Sequence, residues 1–194
     1  MTEPYAGLIF DCDGTLTHSM PLHYIAWRDT LKRYSIEFSE ERFYAMGGMP
    51  SHSIVATLAQ EHAVEVDPMA VGREKEDEFL INMAQLEPIE WVCSIARDNH
   101  GQKAMSVASG GFRDVVAAQL KQIGMHDYFE ILVAAEDTER HKPEPDVFLE
   151  AAKRMGIEPK DCLVFEDSPL GFQAARAAGM AWIDVRQPGN PIER

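Results

Sequence analysis

Short apolar runs that end in polar residues most constrain the fold of this 194-residue chain. Five occur, at residues 5–10, 103–109, 130–135, 162–167 and 181–185. The first four contain continuous apolar stretches, which are typical of parallel strands covered by helices on both faces. Helical periodicity separates the later runs, so strands and helices alternate. The sequence therefore predicts an α/β fold with a doubly wound, mostly parallel, Rossmann-like sheet.

Residues 17–86 contain no strand-like run but several helical patterns. Ser39 and Asp67 are the expected N-caps of two of these helices, and Phe38 and Phe43 are spaced for a hydrophobic staple. We therefore predict a small helical cap at residues 17–86, inserted into an α/β core made of residues 1–16 and 87–194. Residues 188–191, rich in proline and glycine, are expected to form a loose tail.

Composition excludes several classes of function. The formal net charge of −14 disfavours binding to nucleic acid, which requires a basic surface. No apolar run is long enough to span a membrane, and the N-terminal residues lack the pattern of a secretion signal. The three cysteines are too scattered for a disulfide framework or a zinc site. We expect a cytoplasmic monomer that does not contact membranes.

The predicted strands end at residues that can do chemistry. Ligands of open α/β sheets bind at the carboxyl ends of the strands, so these residues are expected to converge there. They comprise four carboxylates, one ammonium group and one hydroxyl: Asp11, Asp13, Glu166, Asp167, Lys142 and Ser109.

Clustered carboxylates repel one another, and a divalent cation relieves that repulsion. Oxygen ligands favour Mg²⁺, which typically binds one or two carboxylates together with substrate phosphate oxygens. Asp11 and Asp167, with Glu166 nearby, could hold it. Asp11 and Asp13 are two residues apart in an extended segment, so both are expected to point into the site.

Phosphoryl transfer suits this set of residues. One aspartate can attack phosphorus while the other transfers a proton, and Lys142 can neutralise charge on the phosphoryl group. The Ser109 hydroxyl and free amides at a helix predicted to begin at Gly110 and Gly111 can bind the phosphate. Each motif alone is compatible with an ordinary turn, loop or helix cap, but their coincidence at separate strand ends favours a phosphate site.

Four segments, "DCDGT", "VASG", "HKPEPDVF" and "FEDSPLG", resemble the motifs of the haloacid dehalogenase-like phosphohydrolases, and the resemblance extends from about residue 5 to 186. The helical insertion is similar to the cap of the β-phosphoglucomutase and fructose-1-phosphate phosphatase branch. The resemblance implies that Asp11 is the nucleophile and Asp13 the general acid and base. It also implies phosphate binding by Ser109 and Lys142. The implied Mg²⁺ ligands are Asp11, Asp13, Glu166 and Asp167.

The cap resembles that branch in two places. In "THSMPLHYIAW", Ser19 and His23 correspond to residues that help to gate the general acid and base, and both are expected to bind substrate. In the loop "GGMPSHS", Gly48 is expected to contact substrate, and Ser51 stands where the mutase has a phosphate-binding arginine. Bisphosphate handling is therefore not expected. Arg113 is expected to face solvent.

The sequence thus predicts a Mg²⁺-dependent phosphatase that acts on small phosphorylated metabolites, such as fructose 1-phosphate, through an aspartyl-phosphate. A phosphosugar mutase remains an alternative, since the same intermediate can return its phosphoryl group to a sugar. A non-enzymatic phospho-receiver domain is a third interpretation, because it also combines acidic residues, Mg²⁺ and a lysine. A dehalogenase is disfavoured, since its carbon chemistry needs neither Asp13 nor the Glu166–Asp167 pair.

Overall fold

A computed structural model describes residues 2–194. These residues form a six-stranded sheet with the spatial order β3-β2-β1-β4-β5-β6, in which β1 to β5 are parallel and β6 is antiparallel to β5. The doubly wound α/β prediction is therefore confirmed. The strands are β1 (Gly7–Phe10), β2 (Ala104–Ala108), β3 (Ile131–Val133), β4 (Cys162–Glu166), β5 (Ala181–Asp184) and β6 (Ile192–Glu193).

Five α-helices lie between β1 and β2; the first four belong to the helical insertion, and the fifth leads into β2. Their bounds are α1 (Met20–Lys32), α2 (Glu40–Ala45), α3 (Ser51–Glu61), α4 (Pro68–Asn82) and α5 (Glu90–Asn99). The later helices alternate with strands and are α6 (Arg113–Gln122), α7 (Asp146–Met155) and α8 (Pro169–Ala177). All five predicted strands are present, each within the predicted range.

Two local predictions were wrong. Residues 188–191 form a turn and irregular chain, but they do not open into a loose tail, because Ile192, which follows them, pairs with Ile183 and packs against the core. The helix after β2 begins at Arg113 rather than at Gly110 and Gly111. The amide of Gly111 instead donates to the Ser109 side chain, which closes a turn ahead of the helix.

The strands alternate their side chains between two buried faces, as continuous apolar runs require. Leu8 and Phe10 face a core formed with α5 and α6, and Ile9 faces one formed with α7 and α8. The rings of Phe10 and Phe165 stack with centroids 4.6 Å apart, which ties β1 to β4. This packing fixes the carboxyl ends of β1 and β4 side by side.

Helices α1 to α4 have a hydrophobic core of their own, centred on Trp27, Leu31 and Phe43. Ser39 accepts a hydrogen bond from the α2 amide of Arg42, and Asp67 caps α4, as predicted. The Phe38 and Phe43 rings lie 6.1 Å apart, in the predicted staple contact. Two main-chain hydrogen bonds join the segment that enters these helices to the segment that leaves them. The His18 amide donates to the Glu87 carbonyl, and the Ile89 amide donates to the Leu16 carbonyl. The division of domains at residues 16/17 and 86/87 lies beside these crossings and stays a prediction.

No helix among residues 2–194 is long and apolar enough to cross a membrane. Cys12, Cys93 and Cys162 are all free thiols buried in the hydrophobic interior.

Candidate active site

Three carboxylates meet at the carboxyl ends of β1 and β4. Asp11, Glu166 and Asp167 each contribute an oxygen, and these oxygens lie within 4.8 Å of one another. Two glycines make this approach possible. A side chain at Gly14, which has a φ of +77°, would overlap the Asp167 carboxylate, and one at Gly171 would overlap that of Glu166. The glycines of the "DCDGT" and "FEDSPLG" motifs therefore serve the packing of the acidic groups.

Lys142 places its ammonium between two of these carboxylates. Its Nζ donates to Asp11 Oδ1 and to Glu166 Oε2, each at 2.7 Å, and its side chain is almost completely buried. Burial lowers the pKa of Lys142, but the charges of Asp11 and Glu166 outweigh it and hold the pKa above its ordinary value. The lysine is therefore a fixed positive charge at the sheet edge.

Glu166 is the most tightly held of the three acids. Its Oε1 accepts from the Ser168 amide at 2.9 Å, from the Ser168 hydroxyl at 2.7 Å and from the Asp167 amide at 3.2 Å. Ser168 also caps α8 by accepting from the Gly171 amide at 3.0 Å. The start of α8 thus orients Glu166, and Glu166 in turn orients Lys142.

The side chains at the carboxyl ends of the strands, namely Asp11, Ser109, Lys142, Glu166 and Asp167, are called the rim below. The rim carries more negative charge than Lys142 can offset. Burial raises the pKa of Asp11 and of Asp167, and the neighbouring carboxylates raise both further, although Lys142 acts in the opposite direction. Three carboxylates opposed by one ammonium fit a site for a divalent cation with oxygen ligands.

The Asp13 carboxylate points to the cap rather than into this acidic group. Its Oδ1 accepts from Ser19 Oγ at 2.6 Å and from His23 Nε2 at 2.7 Å. Burial raises the pKa of Asp13, but its interaction with His23, the hydrogen bonds from His23 and Ser19, and the charge of Lys75 together hold it below its ordinary value. The side chain is thus engaged elsewhere, and a role for Asp13 as a metal ligand stays a prediction.

His23 connects Asp13 to a buried lysine of the cap. Lys75 Nζ lies 2.7 Å from His23 Nδ1, and the His23 ring stacks on Phe79 with centroids 3.8 Å apart. An ammonium can only donate, so Nδ1 is the acceptor and the ring proton lies on Nε2, facing Asp13. Asp13, His23 and Lys75 therefore form one continuous hydrogen-bonded relay.

Ser109 and the glycine after it form the other side of the rim. The buried Ser109 hydroxyl accepts from the Gly111 amide at 3.0 Å, which leaves its own proton available to a ligand. A Cβ on Gly110 would lie 2.7 Å from the Gly48 carbonyl oxygen, and Gly48 itself has a φ of +90°. The cap loop therefore lies directly over the rim and requires glycine at both positions.

A cleft of about 70 Å³ separates rim and cap. The predicted site residues among its lining are Asp11, Asp13, His23, Gly48, Ser109, Gly110, Glu166 and Asp167. Ser19 and Lys142 stand behind this lining, hydrogen-bonded to Asp13 and Asp11. Arg113 is outside it, because its guanidinium pairs with Asp137 and with the Leu132 carbonyl.

Sequence reasoning missed Lys75 and Glu76, which line the cleft from α4 and are almost fully buried. Both belong to the charged segment "REKEDE", where charges ordinarily face solvent. Lys75 lies four residues from both Val71 and Phe79, and Glu76 lies three residues before Phe79. This spacing is the signal that could have found them, since residues three or four apart share a helix face.

Comparison with known proteins agrees with this geometry. The model of the haloacid dehalogenase-like hydrolases matches residues 5–179. The fructose-1-phosphate phosphatase YqaB of Escherichia coli is 40% identical over 187 residues, which cover 96% of this chain and 99% of that protein. The fold is similar to that of a hydrolase from Pseudomonas syringae, with a TM-score of 0.84 and 24% identity over 92% of this chain and 83% of that one. It is also similar to β-phosphoglucomutase from Clostridium difficile, with a TM-score of 0.81 and 22% identity over the same shares of the two chains. The chain therefore belongs to the haloacid dehalogenase-like hydrolase family, and within that family it is a phosphatase.

Proposed function

We propose that this phosphatase hydrolyses small phosphorylated sugars, fructose 1-phosphate among them, with Mg²⁺ and through an aspartyl-phosphate on Asp11. The observation that carries the proposal is the position of Asp11, bound to the buried Lys142 ammonium and within reach of the Asp167 carboxylate. The activity in the name of the Escherichia coli relative supports the choice of substrate.

Mg²⁺ fits the acidic group on the chemistry of its ligands, which are carboxylate oxygens with excess negative charge. Asp11 and Asp167 would hold the ion, with Glu166 beside them. When bound, it would neutralise charge on the phosphoryl group and leave the Asp11 carboxylate ionised.

In the first step, Asp11 attacks phosphorus and the bond between phosphorus and the leaving oxygen breaks. Lys142 holds Asp11 and offsets negative charge on the phosphoryl oxygens, while Ser109 and the Gly110 amide donate hydrogen bonds to them. Asp13 gives its proton to the leaving oxygen. In the second step Asp13 takes a proton from water, which attacks phosphorus and restores Asp11.

Ser19 and His23 control the proton on Asp13 in this scheme. Their hydrogen bonds favour the carboxylate, the form that acts as a base in the second step. The first step requires Asp13 to hold a proton, so these bonds must weaken when substrate binds. Ser19 and His23 are thus positioning residues for both steps.

The alternatives have less support from the site. A phosphosugar mutase needs a cation to bind the second phosphate of its bisphosphate. Ser51 offers only a neutral hydroxyl, and its proton is already donated to Glu76. A phospho-receiver domain does not explain a helical cap whose Gly48 loop lies over the rim. We also propose that the protein is a cytoplasmic monomer that binds neither nucleic acid nor membranes, in keeping with its net charge of −14. Sedimentation analysis tests its oligomeric state.

The test is release of inorganic phosphate from a panel of phosphorylated metabolites by purified protein, with Mg²⁺ or with EDTA. We expect turnover of sugar monophosphates that EDTA abolishes and Mg²⁺ restores, and no measurable turnover by Asp11→Asn. Asp127→Asn is the matched control, because this side chain is almost fully exposed and, among residues 2–194, forms a hydrogen bond only with the neighbouring His126. Undiminished activity in Asp11→Asn, or in EDTA, would refute the mechanism.

A further inference from the structure

The cap wall of the cleft carries two buried polar side chains that the proposed chemistry does not use. Glu76 from α4 and Ser51 at the start of α3 line the cleft together with the rim residues. They are only 3% and 9% exposed, respectively. A buried carboxylate is costly unless it is paired and hydrogen-bonded, so its place beside a ligand cleft needs a reason.

The two side-chain donors nearest to Glu76, those of Lys75 and Ser51, are already used within the wall. The Lys75 ammonium has three protons, and it contacts His23 Nδ1 at 2.7 Å, Glu76 Oε1 at 3.1 Å and Glu76 Oε2 at 3.2 Å. The Ser51 hydroxyl has one proton, which it donates to Glu76 Oε1 at 2.5 Å. Neither side chain has a proton left to offer a ligand.

What remains on Glu76 and Ser51 is acceptor capacity. A carboxylate oxygen can accept two hydrogen bonds, and Glu76 Oε2 accepts only from Lys75 among the contacts of residues 2–194. A hydroxyl oxygen also has two lone pairs, and Ser51 donates through its proton alone. Such a surface binds ligand groups that donate, above all hydroxyls. Glu76 and Ser51 offer no free proton to a phosphate or carboxylate, which accepts hydrogen bonds at neutral pH, so they discriminate against such a group.

We infer that Glu76 and Ser51 determine the substrate specificity of this phosphatase. They accept hydrogen bonds from the hydroxyls of a polyol leaving group and exclude a leaving group with a second anionic substituent. The large side chains of Trp27, Met46 and Ile54 also line the cleft. Glu76 and Ser51 are therefore among the few polar groups of the cap that can orient a leaving group. The inference deepens the proposed function and rests on it.

The test compares kcat/KM of the wild type and Glu76→Gln for three substrates. These are fructose 1-phosphate, fructose 1,6-bisphosphate hydrolysed at C1, and p-nitrophenyl phosphate, which has no hydroxyl. We expect the wild type to prefer the first over the second by about tenfold or more. Because Glu76→Gln loses a charged acceptor, it should lose roughly 10–100-fold on fructose 1-phosphate and less than about 3-fold on p-nitrophenyl phosphate. The side-chain amide of the variant can also donate hydrogen bonds to a phosphate. The ratio of kcat/KM for fructose 1-phosphate to that for the bisphosphate should therefore be smaller than in the wild type.

Glu74→Gln is the matched control on the same helix, because its side chain is half exposed and binds Tyr34 outside the cleft. Ser51→Ala should lower kcat/KM for fructose 1-phosphate relative to p-nitrophenyl phosphate by roughly 3–10-fold. If Glu76→Gln does not fold, this variant tests the inference in its place. An equal loss on all three substrates with a shifted pH profile would overturn the inference, since Glu76 would then act through Lys75 and His23 on Asp13. A wild type inert toward every substrate would refute the proposed function itself.

Discussion

The two walls of the cleft are built differently. On the core wall, main-chain groups fix the acids, since Glu166 accepts from two amides and Asp11 continues directly from β1. On the cap wall, the polar groups are held by other side chains, in the series His23, Lys75, Glu76 and Ser51, and His23 joins this series to Asp13 of the core. A wall fixed by the backbone suits chemistry that is common to all substrates. A wall of side chains can change with the substrate and leave the fold intact.

The largest expected effect on this comparison comes from Lys142→Met on the core wall. Removal of the ammonium leaves Asp11 and Glu166 buried without their shared partner. We expect the free energy of unfolding in EDTA to fall by about 3–5 kcal/mol. We also expect kcat/KM to fall roughly 10³-fold on every substrate. Denaturant titrations and phosphate release measure the two quantities.

Lys153→Met provides the control, because that ammonium is exposed and, within the part of the chain that the structure describes, pairs only with Glu150. If Lys142→Met lost activity on some substrates and kept it on others, the core wall would not be the shared catalytic element.

His23→Phe tests the link between the walls and should have an intermediate effect. Phenylalanine keeps a ring beside Phe79 but removes the hydrogen bond to Asp13. The pKa of Asp13, now held low, should rise toward its ordinary value, so the acid limb of the pH dependence of kcat should move to higher pH. Activity should fall roughly tenfold at neutral pH on all substrates.

The same change has a defined effect on stability. A carboxyl with a lowered folded pKa stabilises the fold above its unfolded pKa of about 4, and this contribution is lost as the pH falls through the folded pKa. The variant should therefore be less stable than the wild type at pH 7, and the difference should shrink in acid. His126→Phe is the exposed control. An unchanged acid limb would show that His23 does not act on Asp13.

The smallest expected effect comes from Arg73→Ala, at the contact between cap and core. Arg73 forms a two-oxygen ion pair with Asp114 of α6 at 2.9 Å and lies over the Phe112 ring. Since Asp114 is largely exposed and Arg73 is partly exposed, we expect a loss of less than about 1 kcal/mol in stability. KM should rise less than about 3-fold, with kcat unchanged. Arg28→Ala, on an exposed pair within the cap, is the control. A large loss in kcat would mean that this pair helps to align the catalytic groups.

The sequence sufficed for the core wall because its signals are local. Apolar runs located β1 and β4, and the residues directly after them were Asp11 and Asp167. Gly14 and Gly171 were part of the same motifs. The missing strand β6 had no such signal, because two residues after a Pro-Gly turn become a strand only by pairing with β5.

The cap wall depends on contacts that no short motif records. Ser19 and His23 were identified by resemblance, whereas Lys75 and Glu76 were hidden in a charged helix. Their burial follows from the packing of α4 against α1 and α3, which the sequence alone did not predict. Ser51 was noted for the arginine it replaces, but its hydrogen bond to Glu76 became visible only when both helices were placed.

The most direct test of the rim is a crystal structure of the protein with Mg²⁺ and BeF₃⁻, a mimic of the phosphoryl group. We expect BeF₃⁻ bound to Asp11, with Lys142 and Ser109 on its fluorine atoms and Mg²⁺ held by Asp11 and Asp167. A rim that binds neither, with Asp11 and Asp167 turned into solvent, would contradict the proposal that these acids form a phosphoryl-transfer site.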